Sequence, residues 1–232
     1  MSTDRTLRIS EIFESFQGEG PSAGAPSVFL RLAVCNLRCG WCDTKYTWDW
    51  ETYRYEDEVS TETVEAVAER IGTDTTRHLV VTGGEPLLQD PALARLFSLL
   101  PDALHVEVET NGTLSPSDAL RRRVTQWNVS PKLANSGEPR NRRVKADALS
   151  ALRDTGRAWL KLVVANEADV SEAEALAEIS GFPRDRVLLM PEAATREALE
   201  AREPLVKLWA KTRGYGASPR LHVAKWGGRR GV

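Results

Sequence analysis

Three cysteines fall within one octapeptide of this 232-residue chain, Cys35-Asn36-Leu37-Arg38-Cys39-Gly40-Trp41-Cys42, and the chain has no others. Three thiolates at C-x3-C-x2-C spacing on a short loop can hold three corners of an iron–sulfur cubane. A fourth cysteine is missing, so one iron would stay open. That is a defect for a closed electron-transfer centre and a requirement for a cluster that binds and reductively cleaves a cosubstrate. A structural zinc site is the alternative, and it would have to recruit His78, His105 or His222 as fourth ligand. Packing gives free cysteines no reason to cluster. An odd cysteine count without an export signal argues against a disulfide framework.

Three further segments have residue types suited to ligand binding: Gly83-Gly84-Glu85-Pro86, Glu109-Thr110-Asn111-Gly112 and Ser130-Pro131-Lys132. Each follows or ends a short β-branched run. Strands are predicted at Val28–Val34, His78–Thr82, His105–Glu109, Gln126–Ser130, Trp159–Val164 and Arg186–Met190. Amphipathic helices are predicted near Thr61–Ile71, Pro91–Leu100, Ser117–Arg123, Lys145–Arg153, Ser171–Ile179 and Ala194–Lys211. Ser60 or Thr61 would cap the first, Asp90 the second, and Pro204 should break or kink the last.

Strand–helix alternation implies right-handed βαβ units and a parallel sheet. Six units are too few for a closed (β/α)8 barrel. The expected fold is therefore α/β, a partial, open TIM-type barrel of about six parallel strands with flanking helices, with a flat doubly wound sheet as alternative. Either places ligands at the C-terminal ends of the strands, where the cysteine loop and the three segments fall.

The chain is expected to form one domain, 1–232, with the cysteine loop at 35–42. Hydrophobic residues make up 41% and charged residues 28%, a soluble globular balance, and the formal net charge of −2 gives nucleic acid and anionic membrane no electrostatic hold. No apolar run is long enough to cross a bilayer, and Met1–Ser10 lacks the apolar core of a signal peptide, so a cytoplasmic protein is expected.

The cysteine spacing, with aromatic Trp41 before the third cysteine, resembles the signature of the radical S-adenosylmethionine superfamily. Membership implies a radical SAM core in which Cys35, Cys39 and Cys42 bind a 4Fe-4S cluster. S-adenosyl-L-methionine chelates the open iron, and reduction yields a 5′-deoxyadenosyl radical. Gly83-Gly84-Glu85-Pro86 resembles the motif that binds the methionine amino group. The run Glu11-Ile12-Phe13-Glu14-Ser15-Phe16-Gln17-Gly18-Glu19-Gly20, then Phe29-Leu30-Arg31, Cys42-Asp43-Thr44 and Thr47-Trp48-Asp49, narrows the resemblance to the 7-carboxy-7-deazaguanine synthase family, from about Glu11 to Lys132.

That resemblance implies ring contraction of 6-carboxy-5,6,7,8-tetrahydropterin to 7-carboxy-7-deazaguanine with loss of ammonia, in queuosine and 7-deazapurine biosynthesis. It implies cosubstrate contacts from Trp41, Asp43, Gly84, Glu109, Ser130 and Lys132. Substrate contacts fall to Phe16, Gln17, Gly18, Glu19, Arg31 and Thr82, and Mg2+ to the hydroxyl of Thr44. It also implies a homodimer and an electron donor such as flavodoxin or ferredoxin. The tail, about 214–232, departs from the family's usual ending, and His222 is the residue expected to line the substrate pocket there. Two rival functions stay open: a glycyl-radical-enzyme activase and a non-catalytic zinc-binding interaction module.

Overall fold

A computed structural model of the chain describes residues 4–72 and 77–232, so the ends of the expected 1–232 domain at positions 1–3, and positions 73–76, lie outside the described residues. The chain begins with β1 (Thr6–Phe16), β2 (Pro26–Leu32), a one-turn helix α1 (Tyr55–Glu58), β3 (Ser60–Thr63) and α2 (Val64–Gly72). Alternation then sets in with β4 (His78–Gly83), α3 (Asp90–Leu99), β5 (His105–Thr110), α4 (Asp118–Arg123) and β6 (Gln126–Val129). It continues with α5 (Arg140–Arg143), α6 (Ala146–Arg153), β7 (Ala158–Val164), α7 (Glu167–Ser180), β8 (Val187–Pro191), α8 (Arg196–Arg213), β9 (Gly216–Ala217) and α9 (Leu221–Trp226).

The strands form one sheet in the order β3-β1-β2-β4-β5-β6-β7-β8-β9. From β2 to β9 every pairing is parallel, while β1 runs antiparallel to both β2 and β3. Edge strands β3 and β9 are not paired with each other, so the barrel is open. The six predicted strands are the six central parallel ones.

Strand parity divides the molecule. Leu30 and Leu32, Leu79 and Val81, Val106 and Val108, Trp127 and Val129, and Leu160 and Leu162 all join the main apolar core with residues of α2, α3, α6 and α7. The alternate residues point the other way, and Arg31, Thr82, Glu109, Ser130, Lys161 and Met190 line a cavity on the opposite face. A period of two thus puts stability on one side of each strand and polar groups on the other.

Several local expectations are corrected. Residues 60–63 are a strand, not a helix start, because Thr61 and Thr63 pair with Arg8 and Thr6 along β1. The cap of α2 is Thr63, whose Oγ1 accepts from Ala66 N–H at 3.3 Å. Asp90 lies inside α3, and its carboxylate accepts from Ser117 N–H at 2.8 Å instead of capping. Helix α8 runs unbroken through Pro204. Pro204 is exposed, and the carbonyl it leaves without an intrahelical donor belongs to exposed Glu200, where water can replace the lost bond.

Candidate active site

The cysteine loop leaves β2 through Val34, whose φ of 76° is unusual for a β-branched residue. Its conformation is held from both sides: Val34 N–H donates to Thr47 C=O at 2.6 Å, and Val34 C=O accepts from Glu85 N–H at 2.9 Å. Gly84 lies so close that a Cβ there would sit 2.1 Å from Val34 O and 3.0 Å from Cys35 N. The Gly-Gly pair therefore lets the loop's own backbone pass against the end of β4.

Glu85, wholly buried, accepts from Leu87 N–H at 3.0 Å, Thr110 Oγ1 at 2.8 Å and Asn111 N–H at 2.7 Å. It thereby bolts the ends of β4 and β5 together under the cysteines. Burial pushes its carboxyl above the usual carboxylate range, against those three donors.

Donors reach the sulfurs: Leu37 N–H lies 3.5 Å from Cys35 Sγ, and Trp48 Nε1–H lies 3.3 Å from Cys42 Sγ. Burial pushes the Cys35 thiol up to about 12 and raises that of Cys39. Binding a cationic group that takes up the thiolates would reverse that preference. Tetrahedral zinc with bonds of about 2.3 Å would hold its sulfurs about 3.8 Å apart. Among the described residues, however, the one ligand group converging within 4.8 Å is His78, His105 and Glu107, not the cysteines. The three thiols do not all converge within that distance, which is more than a single tetrahedral zinc ion would allow. His78 and His105 also sit at the N-terminal ends of β4 and β5, away from the loop.

The loop opens on a cavity of about 270 Å³, and every predicted site residue borders it. Cys35, Cys39, Trp41, Cys42, Asp43 and Thr44 come from the loop, and Phe16, Gln17, Gly18 and Glu19 from the turn after β1. Arg31, Thr82, Gly84, Glu109, Ser130 and Lys132 come from strand ends, and His222 comes from α9. Lys132 Nζ stands 5.4 Å over the Trp41 ring and 3.2 Å from Ser130 Oγ, while Trp41 Nε1–H donates to Asn135 Oδ1 at 3.1 Å. Thr44 Oγ1 lies 3.6 Å from Cys42 Sγ.

The opposite wall is a charge network that the sequence reading missed. Lys161 Nζ, buried, bonds Glu19 at 2.5 Å and Glu109 at 3.4 Å. Arg220 bonds Glu19 at 3.1 Å and Asp43 at 2.6 Å. Desolvation alone would raise Glu19, but Lys161 and Arg220 outweigh it and hold its carboxyl well below the usual range. Burial keeps His222 below the ordinary imidazole range, although Glu19 lies 3.8 Å away. The His222 ring packs directly on Gly18, where a Cβ would meet Nδ1 at 2.1 Å.

Gln17 differs from its expected use. Its amide donates to Glu107 and, at 3.4 Å, to Glu109, and its Oε1 accepts from Glu19 N–H at 3.1 Å. The side chain is spent on shaping the turn, which leaves the backbone of Phe16 and Gly18 and the carboxylate of Glu19 to face a ligand. Arg31 gives Nε–H to Glu11 at 2.8 Å, and its guanidinium stands 5.6 Å from the centre of the Phe13 ring. Lys161 had left a trace, a single cation within the buried run Trp-Leu-Lys-Leu-Val-Val, whereas Arg220 sits in a tail without periodicity.

Residues 31–130 match the family described as the radical SAM superfamily. The chain is 42% identical to the 7-carboxy-7-deazaguanine synthase of Pyrobaculum aerophilum, over all of both chains. It is 40% identical to that of Halobacterium salinarum, over 95% of this chain and 90% of the relative. Among solved structures it resembles QueE from Escherichia coli, with a TM-score of 0.67, 28% identity, and coverage of 94% of this chain and 95% of the other.

Proposed function

The chain belongs to the 7-carboxy-7-deazaguanine synthase family of radical SAM enzymes, and we propose that it contracts the ring of 6-carboxy-5,6,7,8-tetrahydropterin to 7-carboxy-7-deazaguanine with loss of ammonia. The product lies on the route to queuosine and other 7-deazapurines. The observation behind this reading is the gathering of all the family-matched positions around one cavity, in a chain related to named synthases along its whole length. The activase and zinc-module alternatives are not favoured.

In this reading Cys35, Cys39 and Cys42 hold a 4Fe-4S cluster. Held there, a reduced cluster would supply the electron for reductive cleavage of S-adenosyl-L-methionine. Trp41, Asp43, Gly84, Glu109, Ser130 and Lys132 orient the cosubstrate, with Lys132 held over the Trp41 ring face. Glu19, kept ionised by Lys161 and Arg220, accepts from ring N–H groups of the pterin. Phe16, Gly18 and Thr82 border the ring, His222 closes the pocket over Gly18, and Arg31 presents its fork to the substrate carboxylate.

Thr44 offers Mg2+ one neutral oxygen, and Asp43 is already committed to Arg220. Mg2+ asks for more oxygen ligands than that, so Thr44 would hold it only with substrate oxygens and water completing the set.

We further take residues 1–232 as one domain that works as a homodimer in the cytoplasm and draws electrons from a flavodoxin or ferredoxin. The continuous sheet supports the first point, and no helix among the described residues is long and apolar enough to cross a membrane.

Anaerobic turnover of reconstituted enzyme with S-adenosyl-L-methionine, reductant, Mg2+ and 6-carboxytetrahydropterin, followed by mass spectrometry, tests the function. Formation of 7-carboxy-7-deazaguanine that vanishes in Cys39→Ala is expected. 5′-Deoxyadenosine without consumption of the pterin would refute the substrate assignment.

A further inference from the structure

At the floor of the open barrel, opposite the cysteine loop, His78, His105 and Glu107 present ligand atoms that all lie within 4.8 Å of one another. His78 and Glu107 are buried, Glu107 completely. The hydrogen-bond pattern fixes the protons. Ser27 Oγ donates to Ala25 C=O at 2.8 Å, so toward His78 Nδ1, 3.1 Å away, it can only accept, and Nδ1 carries the hydrogen. With a hydrogen on Nδ1 alone, the lone pair of Nε2 would face Glu107 Oε2 at 3.1 Å. Two acceptors at that distance need a cation between them, either a second proton on the pair or a metal ion. His105 bears on the choice, because its ring stands edge-on to His78 with 4.6 Å between centroids and its buried Nε2 makes no hydrogen bond to a described residue. A proton shared by His78 and Glu107 would leave that nitrogen stranded, whereas a metal ion would use an imidazole from this side.

We propose that His78, His105 and Glu107 form a structural zinc site at the ends of β4 and β5. Two imidazoles and one carboxylate are a borderline-soft donor set suited to zinc, with water as fourth ligand, and unsuited to Mg2+ or Ca2+. The supporting shell is in place. Ser27 orients His78, and Glu107 accepts from Gln17, Asn128, Ser22 and Gln126. Ligand atoms in tetrahedral zinc stand about 3.3 Å apart, close to the 3.1 Å between His78 and Glu107. His105, half-buried, supplies the remaining closure and the route of entry. Because Glu107 also holds Gln17, the ion would stiffen the turn that carries Glu19.

The test uses the full chain with its 4Fe-4S cluster loaded, so that the cysteines are occupied. It is incubated with Zn2+, desalted, and measured by elemental analysis and zinc K-edge X-ray absorption. One zinc per chain is expected beyond the cluster iron, with only nitrogen and oxygen neighbours at about 2.0 Å, and it should be lost in His105→Ala. Absorption needs no variant, so misfolding of His105→Ala would leave the result intact. Sulfur neighbours at about 2.3 Å would place zinc at the cysteines and overturn the proposal. Failure of the wild-type chain to retain zinc would overturn it too, leaving a proton between His78 and Glu107.

Discussion

Arg220, in the tail, bonds Asp43, the residue directly after the last cysteine, at 2.6 Å, and the same guanidinium bonds Glu19 at 3.1 Å. The tail, the cluster loop and the turn after β1 are thus joined through one side chain.

Replacing that side chain should damage both stability and turnover. In Arg220→Ala, Glu19 keeps Lys161 but loses half of its charge compensation in a buried setting. A loss of about 3 kcal/mol is expected from urea unfolding, at the low end for an uncompensated buried charge. Turnover should fall by at least about tenfold, while iron content per chain stays at the wild-type value. Unchanged turnover would dissociate the network from catalysis.

The Glu19 carboxylate sets a pH dependence of known sign. Its folded value lies below the 4.5 of the unfolded chain, so it contributes stability above that value and loses it as pH falls below it. The stability gap between wild type and Glu19→Gln should be full at pH 7 and shrink steadily below about pH 4.5. Denaturant titrations at several pH values check this, and a gap that widens on acidification would contradict it.

Gly84 and Gly40 should respond oppositely to alanine. A Cβ at Gly84 meets backbone at 2.1 Å and must displace the cluster loop, whereas one at Gly40 makes ordinary contact with Ser136 O at 3.7 Å. Gly84→Ala is expected to lose most of its reconstituted iron and sulfide and about 2 kcal/mol or more of stability. Gly40→Ala should keep both. Equal cluster loading in the two variants would show that the contact at Val34 is not decisive.

Trp48 Nε1–H points at Cys42 Sγ, and donors to cluster sulfurs raise the reduction potential. Trp48→Phe keeps the ring and removes the donor. Its cluster should reduce at a more negative potential in an EPR-monitored titration, with loading unchanged.

The sequence made the parallel strands and the rim of the site legible for different reasons. Runs such as His-Leu-Val-Val-Thr in β4 are apolar on one parity and short, which identifies a strand wherever it packs. β1 escaped because Glu11 falls on the parity of Leu7 and Ile9, at a register shift in the pairing with β2, and its partners include Arg31 from a neighbouring strand and Arg230 from the tail. β3 was misread because its threonines suit a cap as well as a strand, and only pairing with β1 separates the two. The cysteine spacing is local and could be read directly. Lys161 and Arg220 earn their place through partners between 52 and 201 residues away, so nothing near them in the chain announces it.

The parity of the strands also sets the terms on which this scaffold can be altered. Toward the C-terminal ends of β4 to β8 one parity answers to the helices and the other to whatever occupies the cavity, so there the two sets can be varied almost independently. A combinatorial library confined to Thr82, Ser130, Val163 and Met190 would reshape what the pocket accepts while leaving the helix-facing sides of the same strands untouched. The hydrophobic alternates Val81, Val129, Leu162 and Leu189 would serve as its fixed frame.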